Sequence, residues 1–449
     1  MTKLLPLASA IALAFASQSV LAAPTNFSNF TPIPSSVATG SLPESAPFQF
    51  GSANFSQLSI ADRTTQLAAG QFNSGNWDMI DTNRTGPNAG RYLFTVFETS
   101  QAGIQRTDRQ TGNTVTMWAA PAVAPALNSA VAFDASRWTP FGTYLTAEES
   151  WGSQPRPYGR LFELTNPLAA NGIGNVVHHN AIARVSHEGL AFDKNNNLYF
   201  IDELNGGSIY RYSSATPNTG ATYFDGGVNS VLRVGDGNTP NATGAFSWVP
   251  FTDAAGVGLA GSISIVDPNG ITSVDGRATT NEAAFKGTDY QRPEDLEIQT
   301  LANGDQILYV ATTTTNEVYS MNLATGMMNT FVSRSTIDLA TGLAVGNALT
   351  SPDNLAIDAT GNIYIIEDQP GGQADIWFAN DADRDGVRGL QGADALEDFF
   401  AHEIERQLGL RGCGSGRLQL ERDGVEPGRG DFGTPEVNAD DGAGAGHVL

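Results

Sequence analysis

Short apolar segments alternate with turn residues along most of the chain, and three stretches repeat one pattern. The clearest copies cover residues 188–212, 294–322 and 353–378. In each copy an acidic residue precedes a first apolar run, Asn or Gly residues follow, and a second apolar run leads to a loop and an outer run. Asn and Gly favour tight β-hairpins because they tolerate a positive φ angle. The pattern therefore predicts repeated units of antiparallel strands.

Repetition of such units predicts an all-β fold and, more specifically, a β-propeller, in which four-stranded sheets surround a central channel. At about 60 residues per unit with insertions, the length predicts six blades with long inserted loops. The innermost strands of a propeller line the channel, so residues at one end of these strands meet near the axis. A β-sandwich or a lectin-like double sheet would also have short strands separated by turns, and it stays open as an alternative.

The first residues of the chain are typical of an export signal. Lys3 supplies a positive charge, residues 4–20 are mostly apolar, and small residues follow at a cleavage site after Ala22 or Ala23. No Arg-Arg pair precedes the apolar stretch, which favours a Sec-type signal peptide. We therefore expect the protein in the periplasm or the medium.

The 449 residues divide into four segments by composition and pattern. These are a signal peptide (1–22), an N-terminal lead-in (23–75), a propeller core (76–388) and a divergent Gly- and Arg-rich tail (389–449). Within the core, residues 215–290 are rich in Gly, Asn, Thr and Ala, which indicates a long insertion. The tail lacks strand alternation, so it is either disordered or part of an incomplete last blade.

The net charge of −23, from 47 acidic and 24 basic residues, disfavours nucleic acids and anionic membranes as partners. We expect a monomer without a membrane span that acts on a small molecule. Cys413 is the only cysteine, which excludes a disulfide within the chain. General solubility accounts for most of the charge, but acids at repeated positions need another explanation.

Three of those acids, Glu188, Glu294 and Asp353, precede the first apolar run of their units. Carboxylates that crowd together repel one another unless cations neutralise them. Hard cations such as calcium bind carboxylate oxygens. The repeat therefore predicts a metal site, although each acid alone could be a solvated loop residue.

A second set of acids follows the inner apolar runs. Glu203 and Glu367 belong to it, and the adjacent pair Glu148 and Glu149 ends a weaker copy of the unit. Neighbours along a strand point to opposite faces, so both members of that pair can bind one metal only where the strand has ended.

Two basic residues lie beside the acidic corners. Arg292 precedes Glu294, and its planar fork suits the oxygens of a phosphoester. A salt bridge to Glu294 or Asp295 is an equal alternative. His187 could be a ligand or a general acid, but a lone histidine is more often structural.

The acidic corners, in this order, resemble the PhoX family of bacterial alkaline phosphatases. The resemblance depends on four short stretches, at residues 142–149, 187–189, 292–295 and 351–354. It implies a six-bladed propeller whose pore holds a calcium and iron cluster. It also implies hydrolysis of phosphomonoesters by metal-assisted in-line displacement.

Carried over position by position, the resemblance implies that Arg292 contacts the phosphate and that seven carboxylates bind metal. The seven are Glu148, Glu149, Glu188, Glu203, Glu294, Asp353 and Glu367. The family pattern has a cysteine as an iron ligand where this chain has Ala147. Because thiolate is the ligand that favours iron, its replacement favours calcium over iron. A calcium-binding propeller without catalysis, or a calcium-dependent lactonase or esterase, is therefore an alternative.

Overall fold

The structure is a computed structural model that describes residues 57–86, 88–120, 129–149, 158–267, 269–338, 341–358, 361–368 and 374–380, some positions between 33 and 51, and the strand Ala395–Ala401. The predicted signal peptide, Cys413 and most of the tail lie outside these residues. None of the described helices has the length and apolar character that crossing a bilayer requires.

Five antiparallel units follow one another along the described chain, and we call them blades 1 to 5. The helix α1 (Arg63–Ala68), which Asp62 caps by accepting a hydrogen bond from the Thr65 amide, precedes blade 1. Blade 1 contains β1 (Trp77–Thr82), β2 (Tyr92–Phe97), β3 (Gly103–Asp108) and β4 (Asn113–Ala119). Blade 2 contains β5 (Arg137–Trp138), β6 (Tyr144–Ala147), β7 (Leu161–Leu164) and β8 (Val176–His178).

Blade 3 carries an additional strand and an insertion. The segment runs through β9 (Leu190–Phe192), β10 (Leu198–Ile201), β11 (Asn205–Gly207), β12 (Ile209–Ser214), β13 (Gly227–Val234) and β14 (Gly244–Pro250). The four blade strands are β9, β10, β12 and β13, and β14 extends the outer edge. The insertion follows with β15 (Ser264–Val266), β16 (Thr272–Val274), the helix α2 (Gly276–Asn281) and β17 (Tyr290–Gln291). Because β13 completes a blade, the insertion begins later than residue 215.

Blades 4 and 5 complete the described core. Blade 4 contains β18 (Pro293–Thr300), β19 (Gln306–Thr312), β20 (Glu317–Asn322) and β21 (Met327–Val332). After β22 (Ile337–Asp338) and β23 (Leu343–Ala344), blade 5 contains β24 (Pro352–Ile357), β25 (Asn362–Glu367), β26 (Asp375–Asn380) and β27 (Ala395–Ala401). Single turns of 3₁₀ helix occupy Gly220–Thr222 and Gly346–Ala348. Strand β14 pairs with β21, so blades 3 and 4 share one nine-stranded sheet.

The hairpins between the first two strands of blades 3, 4 and 5 have the backbone that the sequence predicts. Asn196, Gly304 and Gly361 occupy these turns with φ angles of 59°, 85° and 89°. Asn and Gly are the residues that reach this region at least cost. The turns therefore fix the register of each inner strand pair.

The first strand of each blade lies near the axis. Strand β1 lies beside β5, and β18 lies between β9 and β24. The Asn354 amide, in blade 5, contacts the Met79 sulfur of blade 1 at 3.5 Å, so the last described blade meets the first. Four buried apolar clusters lie between successive blades, and each contains side chains of two neighbouring blades. The predicted β-propeller is confirmed and the sandwich alternative is wrong, whereas the number of six blades stays a prediction.

Candidate metal centre

Each of the five blades places an acidic residue at the start of its innermost strand. These residues are Asp78, Asp134, Glu188, Glu294 and Asp353. The residue two positions earlier has a positive φ in four of the five blades, namely at Asn76, Ala132, Arg292 and Ser351. Non-glycine residues rarely adopt this region, and such strain concentrates at functional sites. The same unusual corner therefore precedes the acid in four of the five blades.

The second strand of each blade ends beside that corner. In every blade the amide of one residue at this end donates a hydrogen bond of 2.8–3.0 Å to the carbonyl oxygen of the corner residue. The donors, from blade 1 to blade 5, are Glu98, Glu149, Glu203, Thr313 and Asp368. Four of the five equivalent positions thus carry a carboxylate, and blade 4 carries a hydroxyl instead.

All the acids of these two sets except Asp368 form three groups of buried carboxylates. Within each group, one carboxylate oxygen from every residue lies within 4.8 Å of the others. Group 1 is Asp78, Glu98 and Asp134; group 2 is Asp134, Glu149 and Glu203; group 3 is Glu188, Glu294 and Asp353. Asp134 belongs to groups 1 and 2, so it could bridge two cations. Group 3 joins blades 3, 4 and 5, which places it at the axis.

Burial and mutual repulsion favour the protonated form of these carboxyl groups. Burial, together with Glu203 and Glu98, raises the pKa of Glu149 well above its usual value. Burial, Asp353 and Glu294 do the same for the pKa of Glu188. Burial raises the pKa of Glu294 to about 8, although Arg292 opposes the shift. Without bound cations, carboxyl groups of this site would therefore stay protonated at pH values where carboxyl groups on the surface are ionised.

Arg292 lies between groups 2 and 3. Its Nη2 is 2.6 Å from Glu203 Oε1, and its Nε is 3.2 Å from Glu294 Oε1. Burial acts to lower the pKa of Arg292, but Glu294 and Glu203 raise it well above its usual value. The salt bridge that the sequence offered as an alternative is therefore present, and it ties the two groups together.

Glu148 and Glu367, two of the seven predicted ligands, lie outside all three groups. The Glu148 carboxylate pairs with Arg160 at 2.6 Å. Glu367 accepts hydrogen bonds from the Thr350 amide at 2.7 Å and from Trp377 Nε1 at 2.8 Å. Each immediately precedes a residue that ends a second strand, and adjacent side chains point to opposite faces. The structure thus brings Glu149, Glu203, Glu188, Glu294 and Asp353 into the groups and leaves these two aside.

His187 is also separate from the groups. It is fully buried, its ring centroid lies 5.3 Å from that of Phe200, and burial lowers its pKa to about 3. A neutral imidazole packed on an aromatic ring fits the structural interpretation of this residue.

The sequence did not single out Asp78, Glu98 or Asp134. Glu98 directly follows the apolar run of residues 92–97, and this weaker copy of the repeat was the available signal. Asp134 precedes β5, which has two residues only and shows no strand periodicity. The orientation of Asp134 depends on Ala132, whose φ angle is 41°. Alanine is not a residue type that predicts a positive φ.

Comparisons with known proteins found a matching family model and solved structures of similar fold. A family model described as alkaline phosphatase PhoX matches residues 135–388, which is more than half of the chain. The solved structure of Pseudomonas fluorescens PhoX in complex with vanadate, a transition state analogue, superimposes with a TM-score of 0.52 at 16% identity, and the match covers 84% of this chain and 89% of that one. The β-propeller domain of Myceliophteria thermophila Cps50 (Swd1) gives a TM-score of 0.35 at 11% identity, over 72% of each chain. This TM-score is too low to support a conclusion about the present chain. A search of curated protein sequences found no match.

Proposed function

Because the chain belongs to the alkaline phosphatase PhoX family, we propose that it is an exported, metal-dependent phosphoesterase that hydrolyses phosphomonoesters at cations held in its channel. The observation that carries the proposal is the convergence of three buried carboxylate groups on one end of the channel, with Arg292 between two of them. The vanadate in the Pseudomonas fluorescens structure is a transition state analogue, and it motivates a phosphoryl substrate here.

The donor set fits hard cations. Groups 2 and 3 together offer six buried carboxylates, and Arg292 bridges the two groups as a positive charge. An anionic phosphate would be repelled by this surplus unless cations reversed the sign of the local field. We therefore assign groups 2 and 3 as the main ligand sets and group 1 as a further one. Bound cations would polarise the phosphoryl oxygens and stabilise charge that develops on them.

Calcium fits the residues better than iron does. The described part of the chain contains no cysteine, and the buried Ala147 occupies the position before Glu148 and Glu149. A thiolate would favour iron, whereas oxygen donors alone suit calcium. We propose calcium as the principal metal and iron as an optional one that carboxylates would have to hold.

Arg292 would bind and orient the substrate. Arginine has five N–H donors in a planar fork, so it can contact a phosphoryl group while it keeps Glu203 and Glu294 in position. Thr313, the hydroxyl in the otherwise acidic second set, donates a hydrogen bond to Glu294. At these two positions blade 4 therefore carries one carboxylate fewer than blades 3 and 5, and the phosphate would approach from that side.

Reconstitution with a substrate panel tests this function. The full chain would be stripped with a chelator, reloaded with calcium, iron or both, and assayed on a phosphomonoester, a phosphodiester, an aryl carboxylic ester and a lactone. We expect phosphomonoester hydrolysis that depends on calcium. Hydrolysis of the carboxylic ester or lactone alone would contradict the proposal and support the lactonase or esterase alternative.

Ala147 favours one second candidate, a calcium-binding propeller without catalysis. Its position at the end of β6 is where the PhoX pattern has a metal-binding cysteine. Calcium bound in stoichiometric amounts with no hydrolysis above a Glu294→Gln control, under every metal condition, would establish this candidate instead.

Export is part of the proposal, and the signal peptide that the sequence predicts at residues 1–22 supports it. Sequencing the amino terminus of protein recovered from the periplasm or the medium should find a start after Ala22 or Ala23. Recovery of full-length protein from the cytoplasm alone would contradict it.

A further inference from the structure

We propose that Glu148 and Arg160 are positioning residues of the metal centre, which fix Glu149 and Glu188 without binding a cation themselves. This inference rests on the proposed function, because it assigns a role relative to the cations of groups 2 and 3. It reverses the expectation from the sequence, in which Glu148 is one of the ligands.

Arg160 occupies both oxygens of Glu148. Its Nη2 donates to Oε1 at 2.6 Å, and its Nε and backbone amide donate to Oε2 at 2.8 and 3.0 Å. The Val131 amide adds a bond to Oε1 at 3.1 Å. Both side chains are completely buried. A cation at Glu148 would have to displace four donors and leave a buried guanidinium without its carboxylate, which is unfavourable.

The backbone of Glu148 joins two acidic corners. Its carbonyl oxygen accepts a hydrogen bond of 3.1 Å from the His187 amide, which precedes Glu188 of group 3. The next amide, that of Glu149, donates to Ala132 at the corner that aims Asp134. Glu148 therefore sits where group 2 and group 3 meet, and a shift of its backbone would move ligands of both groups.

The pairing of adjacent acids repeats in blade 3. Asp202 is held by both Nε and Nη2 of Arg277, while its neighbour Glu203 belongs to group 2. In blades 2 and 3, then, an arginine binds both oxygens of the first acid of the pair, and the second acid belongs to group 2. Opposite orientation of neighbouring side chains accounts for this division of roles.

Arg160 also contacts the insertion of blade 3. Asp267, which follows β15, lies 3.8 Å from Arg160 Nη1 and 3.5 Å from Arg184 Nη2. Together with Glu148, these three residues form a buried cluster of two arginines and two carboxylates, whose charges balance. Balanced charges have no need of a metal, in contrast to the surplus of groups 2 and 3.

Calcium titration of the metal-free full chain by calorimetry tests the inference. We expect Glu148→Gln to bind as many calcium ions as the wild type with about 10- to 100-fold lower affinity, as loss of an outer-shell partner typically causes. Glu149→Gln should lose a calcium ion. Glu163→Gln is the matched control, because it removes one charge from the same blade, where Glu163 pairs with His179 at 2.7 Å. It should bind calcium like the wild type.

Arg160 variants separate positioning from general damage. The double variant Glu148→Gln/Arg160→Met should bind calcium no more weakly than the worse single variant, since the two residues act as one unit. Arg160→Lys keeps the charge without the fork and covers the case in which Arg160→Met does not fold; we expect it to weaken calcium binding with the stoichiometry unchanged.

Several results would overturn the inference. If Glu148→Gln lost a calcium ion as Glu149→Gln does, Glu148 would be a ligand. If Glu148→Gln bound calcium with the same affinity as Glu163→Gln, the pair of Glu148 and Arg160 would have no positioning role. The same would follow if the effects of Glu148→Gln and Arg160→Met on calcium affinity simply added in the double variant. A wild-type protein that bound no calcium would overturn the proposed function as well, so the two failures are distinguishable.

Discussion

The two ends of the inner strands carry charged residues in opposite ways. At the end where the strands begin, the six carboxylates of groups 2 and 3 lie together with Arg292, which contacts one carboxylate of each group. About three residues further along, charges of both signs are paired: Arg137 Nη1 is 2.9 Å from Glu297, and Arg84 Nε is 2.9 Å from Asp81. Three residues of strand correspond to roughly 10 Å.

The paired end joins four blades across the axis. Arg137, in blade 2, also donates to the Leu190 carbonyl of blade 3 and to the Leu296 carbonyl of blade 4, the latter at 3.1 Å. Arg84, which follows the first strand of blade 1, reaches Glu297 at 3.4 Å. Charges of both signs here hold the blades together. The surplus of carboxylates, rather than the presence of charge, therefore distinguishes the end of the strands that we propose as the functional one.

Replacing a carboxylate of the surplus end should have the largest effect on function. For Glu294→Gln we expect phosphoester hydrolysis to fall by more than about 100-fold, beyond the usual cost of losing an outer-shell partner. The reason is that Glu294 joins group 3 and contacts Arg292. Steady-state kinetics of calcium-loaded protein would measure it, with Glu163→Gln as the control. Unchanged kinetics in Glu294→Gln would remove group 3 from the active site.

Arg292→Met removes the guanidinium that contacts the carboxylates of Glu203 and Glu294. We expect hydrolysis to fall by about 100- to 1,000-fold, the usual effect of removing one donor that stabilises transition-state charge. Calcium binding should persist, because the variant removes a positive charge from the site. Loss of calcium binding with normal hydrolysis per bound metal would show that Arg292 is structural only.

Arg137→Met tests the paired end. It leaves Glu297 without its closest partner and removes donors to two carbonyl oxygens. Breaking a buried pair by removing one member costs about 3–5 kcal/mol, and partial exposure of Glu297 places the expected loss near the lower value. Chemical denaturation would measure it. Calcium stoichiometry of the folded fraction should not change; if it did, the two ends would not be independent.

The pH dependence of the metal-free protein gives a graded effect, which is small for each pH unit. The pKa of Glu294 is about 8 in the folded chain, against 4.5 for an unperturbed glutamate. Between these values the folded state holds a proton that the unfolded state has lost. Stability should therefore fall by about 1 kcal/mol for each pH unit between about pH 5 and 8 and then level off.

Thermal denaturation in chelator across this pH range would test that trend. Excess calcium should abolish it, since cations replace the protons on the carboxylates. A metal-free protein whose stability stays constant or rises from pH 5 to 8 would mean that the carboxylates are already compensated within the folded chain.

The sequence predicted the fold and part of the site because both depend on strand periodicity. Turn residues such as Gly304 and Gly361 mark the hairpins, and Glu188, Glu294 and Asp353 stand at the same place in clear copies of the unit. These features are local in sequence, so they can be seen without coordinates.

The remaining site residues depend on geometry that residue types do not encode. Choosing Glu149 over Glu148 requires the face that each side chain occupies where β6 ends, and a shift of one residue reverses it. The partner that decides the matter, Arg160, lies twelve positions away, immediately before the next strand. Asp134 depends on the left-handed backbone of Ala132, which its side chain does not announce.

The most direct test of the central claim is the metal content of the purified protein, measured by elemental analysis together with phosphomonoesterase activity before and after chelation. The account predicts bound calcium, hydrolysis that disappears with the metal, and recovery of both on adding calcium back. Protein that contains no calcium, or that hydrolyses phosphomonoesters equally well after complete removal of metal, would contradict it.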